Sequence, residues 1–257
     1  MLLSEKIDDV LVLKCGTEIK GQVFYTTRLY YYLNLLIDTG CPHTAYEVRD
    51  FISGKEVKAV LLTHYHEDHA GGAFLFENVY APEKSLELLR QPPELPEYRQ
   101  IIWGQPKPVN ATPLDEEMEF DDVVVEIIDT PGHSFDHVSF LINDKLFIGD
   151  VIGSKRVLVA MKEEDYKGVI DSVKKILSLD FEKAYGGHVI LTRGEIEEFL
   201  NYLMDLESRV RELSSGGESA EEIVNLLLSN VPQKVLLMEQ VSNMEWARVN
   251  LIRSLLP

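Results

Sequence analysis

Residues 64–72 constrain this chain more than any other stretch, because they place His64, His66, Asp68 and His69 within six positions and close on Gly71-Gly72. The segment follows Ala59 to Leu62, a short apolar run that reads as a buried strand. An extended backbone would put His64 and His66 on one side, whereas a helix would group His66 with His69. The spacing therefore predicts a loop that leaves a strand end and turns into a helix. Glycine at the exit lets backbone pass close to another element. The chemistry of such a cluster is metal binding, since neutral imidazole suits zinc, iron, manganese or copper and a carboxylate adds charge. Four ligand-type residues so near in sequence can hardly all reach one ion, but they can serve two.

The chain has only seven histidines, and two of the others occupy similar contexts. His133 ends Asp129-Thr130-Pro131-Gly132-His133, and His188 ends Tyr185-Gly186-Gly187-His188. Asp150, in Phe147-Ile148-Gly149-Asp150, is the acidic counterpart. Each follows an apolar β run and has a glycine beside it. Ligands at strand ends are held by rigid elements while the loops leave a site open. His43 fits none of these contexts and reads as a helix-start residue.

Two blocks of strands, each followed by helices, organise the rest. Val10 to Leu13, Gly21 to Tyr25 and Leu29 to Ile37 read as strands, the last broken by Asn34, with Tyr30, Tyr31 and Tyr32 as packing residues. Asp38-Thr39-Gly40 is a turn, His43 to Ile52 a helix, and Val57 to Leu62 the strand into the histidine loop. Asn78 to Ala81 is a short strand and Pro82 to Arg90 a helix. From Gln91 to Pro113 lie six of the eleven prolines, which argues against regular structure. This stretch is expected to be a lid or rim over the site, with Trp103 as an apolar contact. Strands resume at Val123 to Ile128, His137 to Ile142 and Lys145 to Ile148, with Asn143-Asp144 as a hairpin turn. Glu163 to Leu179 has helical spacing and Lys183 to Tyr185 is a strand. Three or four helices are expected from Gly194 onward, with a break at 214–219. The pattern alone supports an α/β layered fold.

Composition narrows the function classes. Apolar content of 45% over 257 residues supports a sizeable core, and no uninterrupted apolar run is long enough to span a bilayer. Glu5, Asp8 and Asp9 make the amino terminus unlike a secretory signal. Cys15 and Cys41 form no CxxC and no disulfide framework, so the cytoplasm is the expected compartment. A net charge of −18 disfavours broad binding to nucleic acid or anionic membrane.

The ordered set of Asp38-Thr39-Gly40, the HxHxDH loop, Gly132-His133, Gly149-Asp150 and Gly187-His188 resembles the metallo-β-lactamase superfamily. Within it the site is similar to the dinuclear hydroxyacylglutathione hydrolase type. Thr130 to His137 and the tail around Trp246 to Leu251 resemble the beta-lactamase-like protein 2 subgroup. The resemblance implies a four-layer αββα sandwich with a C-terminal helical extension, divided into a catalytic domain over 1–192 and a helical domain over 193–257. It implies that His64, His66 and His133 hold one metal, that Asp68, His69 and His188 hold a second, and that Asp150 bridges them. Asp38 would steady the histidine loop, and His137 would lie near the site without binding metal. Gly186 stands where many relatives carry proline, which implies a looser turn there.

Such a ligand set implies a metal-dependent hydrolase with a metal-bridging water as nucleophile, oriented by Asp68. No Gly-x-Ser-x-Gly appears. Two divalent ions are expected, zinc first, with iron and manganese also compatible with five histidines and two aspartates. The expected substrate is an ester, a thioester or a related small molecule, and Lys155 and Arg156 are candidate contacts for an anionic group. One alternative is an endoribonuclease or phosphodiesterase acting on single-stranded nucleic acid. The charge weighs against it, and so does the tail, with eleven acidic and five basic residues from Glu195 onward. A mononuclear-iron persulfide dioxygenase is a third class. His66 stands where flavin-linked diiron oxygen reductases carry glutamate, which argues against that class. The tail is a candidate for dimer formation or for walling the substrate site.

Overall fold

A computed structural model of the chain describes every residue except Phe24 and Pro257. The first sheet opens with the hairpin β1 (Leu2–Ile7) and β2 (Val10–Cys15), followed by a small separate ribbon of β3 (Glu18–Ile19) and β4 (Gln22–Val23). It continues with β5 (Thr27–Tyr32), β6 (Leu35–Ile37), β7 (Ala59–Leu61), β8 (Val79–Ala81) and β9 (Thr112–Pro113), in spatial order β1-β2-β5-β6-β7-β8-β9. The second sheet has β10 (Glu117–Phe120), β11 (Val123–Asp129), β12 (Val138–Ile142), β13 (Lys145–Gly149), β15 (Lys183–Gly186) and β16 (Ile190–Thr192), in that order. Two further strands, β14 (Ala160–Met161) and β17 (Trp246–Ala247), pair only with each other. Pairing is antiparallel from β1 to β6 and parallel from β6 to β9. In the second sheet only the β13–β15 pair is parallel.

Asn34 breaks the Leu29 to Ile37 run because β5 and β6 form a tight hairpin there. Leu33 and Asn34 both have positive φ, 49° and 63°, as a two-residue turn matching strand twist demands. The sheets face each other across Val12, Tyr30, Tyr32, Leu61, Phe140, Phe147 and Tyr185. Phe147 and Tyr185 stack with ring centres 5.3 Å apart, and Tyr30 meets each of them at 5.5 Å. Tyr31 points the other way, as strand alternation requires. On the outer face of the first sheet, Val48 and Ile52 of α1 (Ala45–Ile52) and Leu89 of α3 (Leu86–Arg90) cover Leu29, Leu36 and Val60. On the outer face of the second, α5 (Tyr166–Leu177), α6 (Arg193–Ser215), α7 (Ala220–Leu227) and α9 (Arg248–Leu255) share one apolar cluster with Leu146, Ile148 and Ala184. The result is the four-layer αββα sandwich with carboxy-terminal helices.

Capping boxes start α6, at Thr192 and Glu195, and α7, at Ser219 and Glu222. With α8 (Gln233–Val241) the described residues of the tail form four helices, and the break falls at 216–219. The tail then folds back: β17 pairs with β14, and the Asn250 amide donates to the Ala160 carbonyl at 3.2 Å.

The 91–113 segment is a correction to the expectation of no regular structure. It holds α4 (Glu97–Ile102), which starts right after Pro96, where a missing N–H costs nothing, and it ends in β9 on the sheet edge. The edge strands β1 and β10 escaped the pattern because their apolar residues are sparse and their acidic and basic ones face solvent.

Candidate metal centre

Every candidate ligand lies in a segment that leaves the carboxyl end of a strand, Asp68 and His69 on the short helix that one of these segments forms. The histidine loop follows β7 and turns into α2 (Glu67–Ala70), as the spacing predicted. His133 follows β11, Asp150 follows β13 and His188 follows β15. They gather into two cups. His64, His66 and His133 form one; Asp68, His69, Asp150 and His188 form the other; within each cup the ligand atoms lie within 4.8 Å of one another. Asp150 stands between the cups, its carboxylate 3.1 Å from His69 Nε2, 3.1 Å from His188 Nε2 and 3.7 Å from His133 Nε2. Asp68 Oδ2 lies 3.7 Å from His69 Nε2 and 3.6 Å from His188 Nε2.

Glycine permits this crowding. A Cβ on Gly187 would stand 2.3 Å from Asp150 Oδ1 and 2.5 Å from His69 Cε1, so only glycine fits. The turn holding it is not loose. The Gly186 N–H, which proline would lack, donates to Val189 O at 2.8 Å, and the Tyr30 hydroxyl donates to Gly186 O. The Gly187 N–H donates to Gly149 O at 2.7 Å, and the Arg28 guanidinium donates to His188 O.

Each ring is oriented by a partner on its far nitrogen, the arrangement that metal-ligating histidines need. Asp38 Oδ2 accepts from His69 Nδ1 at 2.6 Å, and the other oxygen of that carboxylate, Oδ1, accepts from the Thr63 N–H at 2.8 Å. Thr63 Oγ1 meets His64 Nδ1 at 3.0 Å, and Thr26 O accepts from His188 Nδ1 at 2.9 Å. Glu163 takes His66 Nε2 at 3.1 Å and Glu164 takes His133 Nδ1 at 2.8 Å. His66 Nδ1 and His133 Nε2 are thereby turned toward each other, 3.0 Å apart. His137 is no member of either cup. Its Nε2 accepts the Asp150 N–H at 3.0 Å, its Nδ1 meets Thr130 Oγ1, and it fixes the backbone of Asp150. The roles of Glu163 and Glu164 were hidden in the sequence, because their contacts join residues about 30 to 100 positions apart.

Whether cations fit is decided by atoms that lack partners. His64 Nε2 is buried and makes no hydrogen bond, and His69 Nε2 and Asp150 Oδ1, both buried, face each other at 3.1 Å without forming one. Buried orphan acceptors are costly unless something binds them. Burial, then the neighbouring His69 and His66, hold His64 well below its ordinary pKa, leaving a neutral, ligand-ready ring. In the second cup burial opposes charge on His188, yet Asp150 and Asp68 outweigh it and raise the ring to about 9. Burial likewise opposes ionisation of Asp150, and His188 and His69 overcome it. That cup draws positive charge, and a divalent cation would supply it.

Lys155 and Arg156 lie in the loop after Asp150, whose Gly153 borders His188. Lys155 pairs with Glu195, and the Arg156 guanidinium lies 5.2 Å from the Tyr202 ring centre. His43 is the middle residue of the turn Pro42–Thr44 before α1 and bonds Thr17 Oγ1 through Nδ1 at 2.8 Å.

Residues 33–188 match the metallo-beta-lactamase superfamily, a span that contains both cups. The beta-lactamase-like protein 2 homolog of Drosophila melanogaster is 26% identical over 78% of this chain and 72% of its own length. An atrochrysone carboxyl ACP thioesterase of Aspergillus fumigatus is 29% identical over 78% of this chain and 58% of its own. The hydroxyacylglutathione hydrolase of Vibrio cholerae is 31% identical over 51% and 48%. Among solved structures, a metallo-beta-lactamase family protein from Thermus thermophilus aligns over 95% of this chain and 90% of its own, with a TM-score of 0.65 and 21% identity. The chain belongs to the metallo-beta-lactamase superfamily, the metallo-hydrolase class that its motifs indicated. Among the described residues no helix is long and apolar enough to cross a membrane.

Proposed function

We propose that this chain hydrolyses a small thioester or ester with the help of two divalent cations, zinc first, with iron or manganese also compatible. The convergence of seven side chains into two cups, with Asp150 of the second lying 3.7 Å from His133 of the first, carries this reading. His64, His66 and His133 would hold the first cation; Asp68, His69 and His188 the second; Asp150 would reach both. When bound, two cations supply Lewis acidity that brings water toward ionisation near neutral pH and polarises an acyl oxygen. The chain's own residues do the positioning. Asp38, Thr63, Glu163 and Glu164 aim the rings, and the His137 ring fixes Asp150 from behind. Asp68, whose Oδ2 lies beside His69 and His188, would also orient the attacking water. Lys155 and Arg156 are candidates for an anionic group on the substrate.

Two relatives are by name a thioesterase and a hydroxyacylglutathione hydrolase, which supports an acyl substrate. The net charge of −18 disfavours a nucleic acid partner. Both cysteines are free and buried, which fits a cytoplasmic setting. A panel of esters, thioesters, lactones and RNA tests the proposal. Thioester hydrolysis lost on chelation and restored by added metal is the expected result. Chelator-sensitive RNA cleavage with every acyl substrate untouched would overturn it.

A further inference from the structure

Of the seven candidate ligands only His188 is not buried, and its side chain is 25% exposed, so the centre opens to solvent on that side. The start of β5 runs along this opening. Thr26 O accepts from His188 Nδ1 at 2.9 Å, the Arg28 N–H donates to Gly187 O at 2.7 Å, and the Arg28 guanidinium donates to His188 O. Arg28 shares the inner face of β5 with Tyr30 and Tyr32, and it lies beyond the Tyr30–Ile37 pair, on the side of Asp38. It therefore stands between the sheets at the edge where the cups gather. Burial pushes the Tyr30 hydroxyl well up; Arg28 opposes that rise while Asp38 and Asp150 add to it, so the three charges act at one point.

Among the described residues Arg28 has no carboxylate partner. The bond to His188 O is the one side-chain hydrogen bond it makes there, and its Nε is buried with none. Its cross-strand neighbour on the same face is Lys14 of β2, also half-buried and also without a carboxylate among the described residues. Like charges directly opposite each other across a ladder are destabilising. A carboxylate would be easy to supply: the chain has 43 acidic residues against 25 basic ones, and Arg99, Lys145 and Arg248 all have one. Two facing cations beside the opening suit a place that an anion visits. Lys155, by contrast, is taken by Glu195.

We propose that Arg28 and Lys14 bind a carboxylate of the substrate, so that the protein selects acyl compounds carrying a negative charge. The inference rests on the thioester reading, and the test separates the two. Hydrolysis of the butanoyl and succinyl thioesters of N-acetylcysteamine is compared in metal-loaded protein. The butanoyl thioester of 3-mercaptopropionate moves the carboxylate to the leaving group and shows on which side of the acyl bond it is read. In the wild type a carboxylate on one side or the other should raise kcat/KM at least about tenfold, the size of a charge-assisted hydrogen bond. Lys14→Met and Arg28→Met should each collapse that ratio, and Lys14→Glu should invert it. Arg28 also holds His188 O, so the Lys14 variants separate lost anion binding from a displaced ligand. Calorimetry of succinate against butanoate is the second readout: the wild type should bind succinate more tightly, and Lys14→Met should bind both alike. No preference for either charged thioester, or a preference that both Lys14 variants leave unchanged, overturns the inference while the thioester reading stands. If no thioester is hydrolysed, that reading falls and succinate decides: a preference lost in Lys14→Met supports the anion site, and its absence or persistence overturns it.

Discussion

Arg99 ties together three parts of the chain, and removing it should be severe. Its Nε and Nη2 donate to the two oxygens of Glu67 at 2.7 Å, and Nη1 donates to Glu245 at 2.9 Å. The Arg99 side chain is 13% exposed and that of Glu67 only 2%. Glu67 lies in sequence between His66 and Asp68, so a displaced Glu67 drags both cups. Arg99→Met leaves that carboxylate buried without its partner, which typically costs about 3–5 kcal/mol. Urea denaturation of the metal-loaded protein reads the loss as a lowered midpoint with unchanged slope. Glu67→Met combined with Arg99→Met removes both charges and fills their volume, and should recover most of that stability. Metal affinity should also fall about 10- to 100-fold in the single variant, as it does when groups supporting ligands are disturbed. A single-variant loss under about 1 kcal/mol, the range of an exposed ion pair, would refute the reasoning.

Other outcomes follow from the same geometry. Gly187→Ala puts a methyl group against Asp150 and His69, so the protein should fold yet hold about half its metal, by elemental analysis. Asp68→Ala and Asp150→Ala should abolish hydrolysis and lower metal content; full activity in either would count against their roles. Glu239 ties α8 to Arg248 with contacts of 2.9 Å, and although burial pushes its carboxyl up, Arg248 holds it below the ordinary 4.5. Its contribution is complete above 4.5 and is lost as pH falls through the lower folded value. Trp246 fluorescence in a Trp103→Phe background should therefore show an acid-side loosening of the tail that Glu239→Gln flattens.

Much of the candidate site was legible because its candidate ligands sit in short local contexts. A strand end, a glycine and a histidine are enough to mark His133 and His188, and the His64 to His69 loop marks itself. The second layer of partners was not legible. Glu163 and Glu164 precede a helix like many acidic pairs, and only the approach of the second sheet's loops turns them toward His66 and His133. The proline-rich segment misled for a physical reason: proline breaks a helix interior but suits the position just before one, which is where Pro96 stands. Likewise β17 is two residues long, and its partner β14 lies about 85 positions earlier, so no periodicity could reveal the pair.

The central claim is that the two cups hold two cations through seven named side chains. Anomalous diffraction from crystals of protein purified without added metal, with elemental analysis of the same batch, tests it most directly. The account predicts two ions per chain, one against His64, His66 and His133 and the other against Asp68, His69 and His188, with Asp150 in contact with both. A single ion, or ions seated elsewhere, in protein that hydrolyses its substrate at full rate would contradict it.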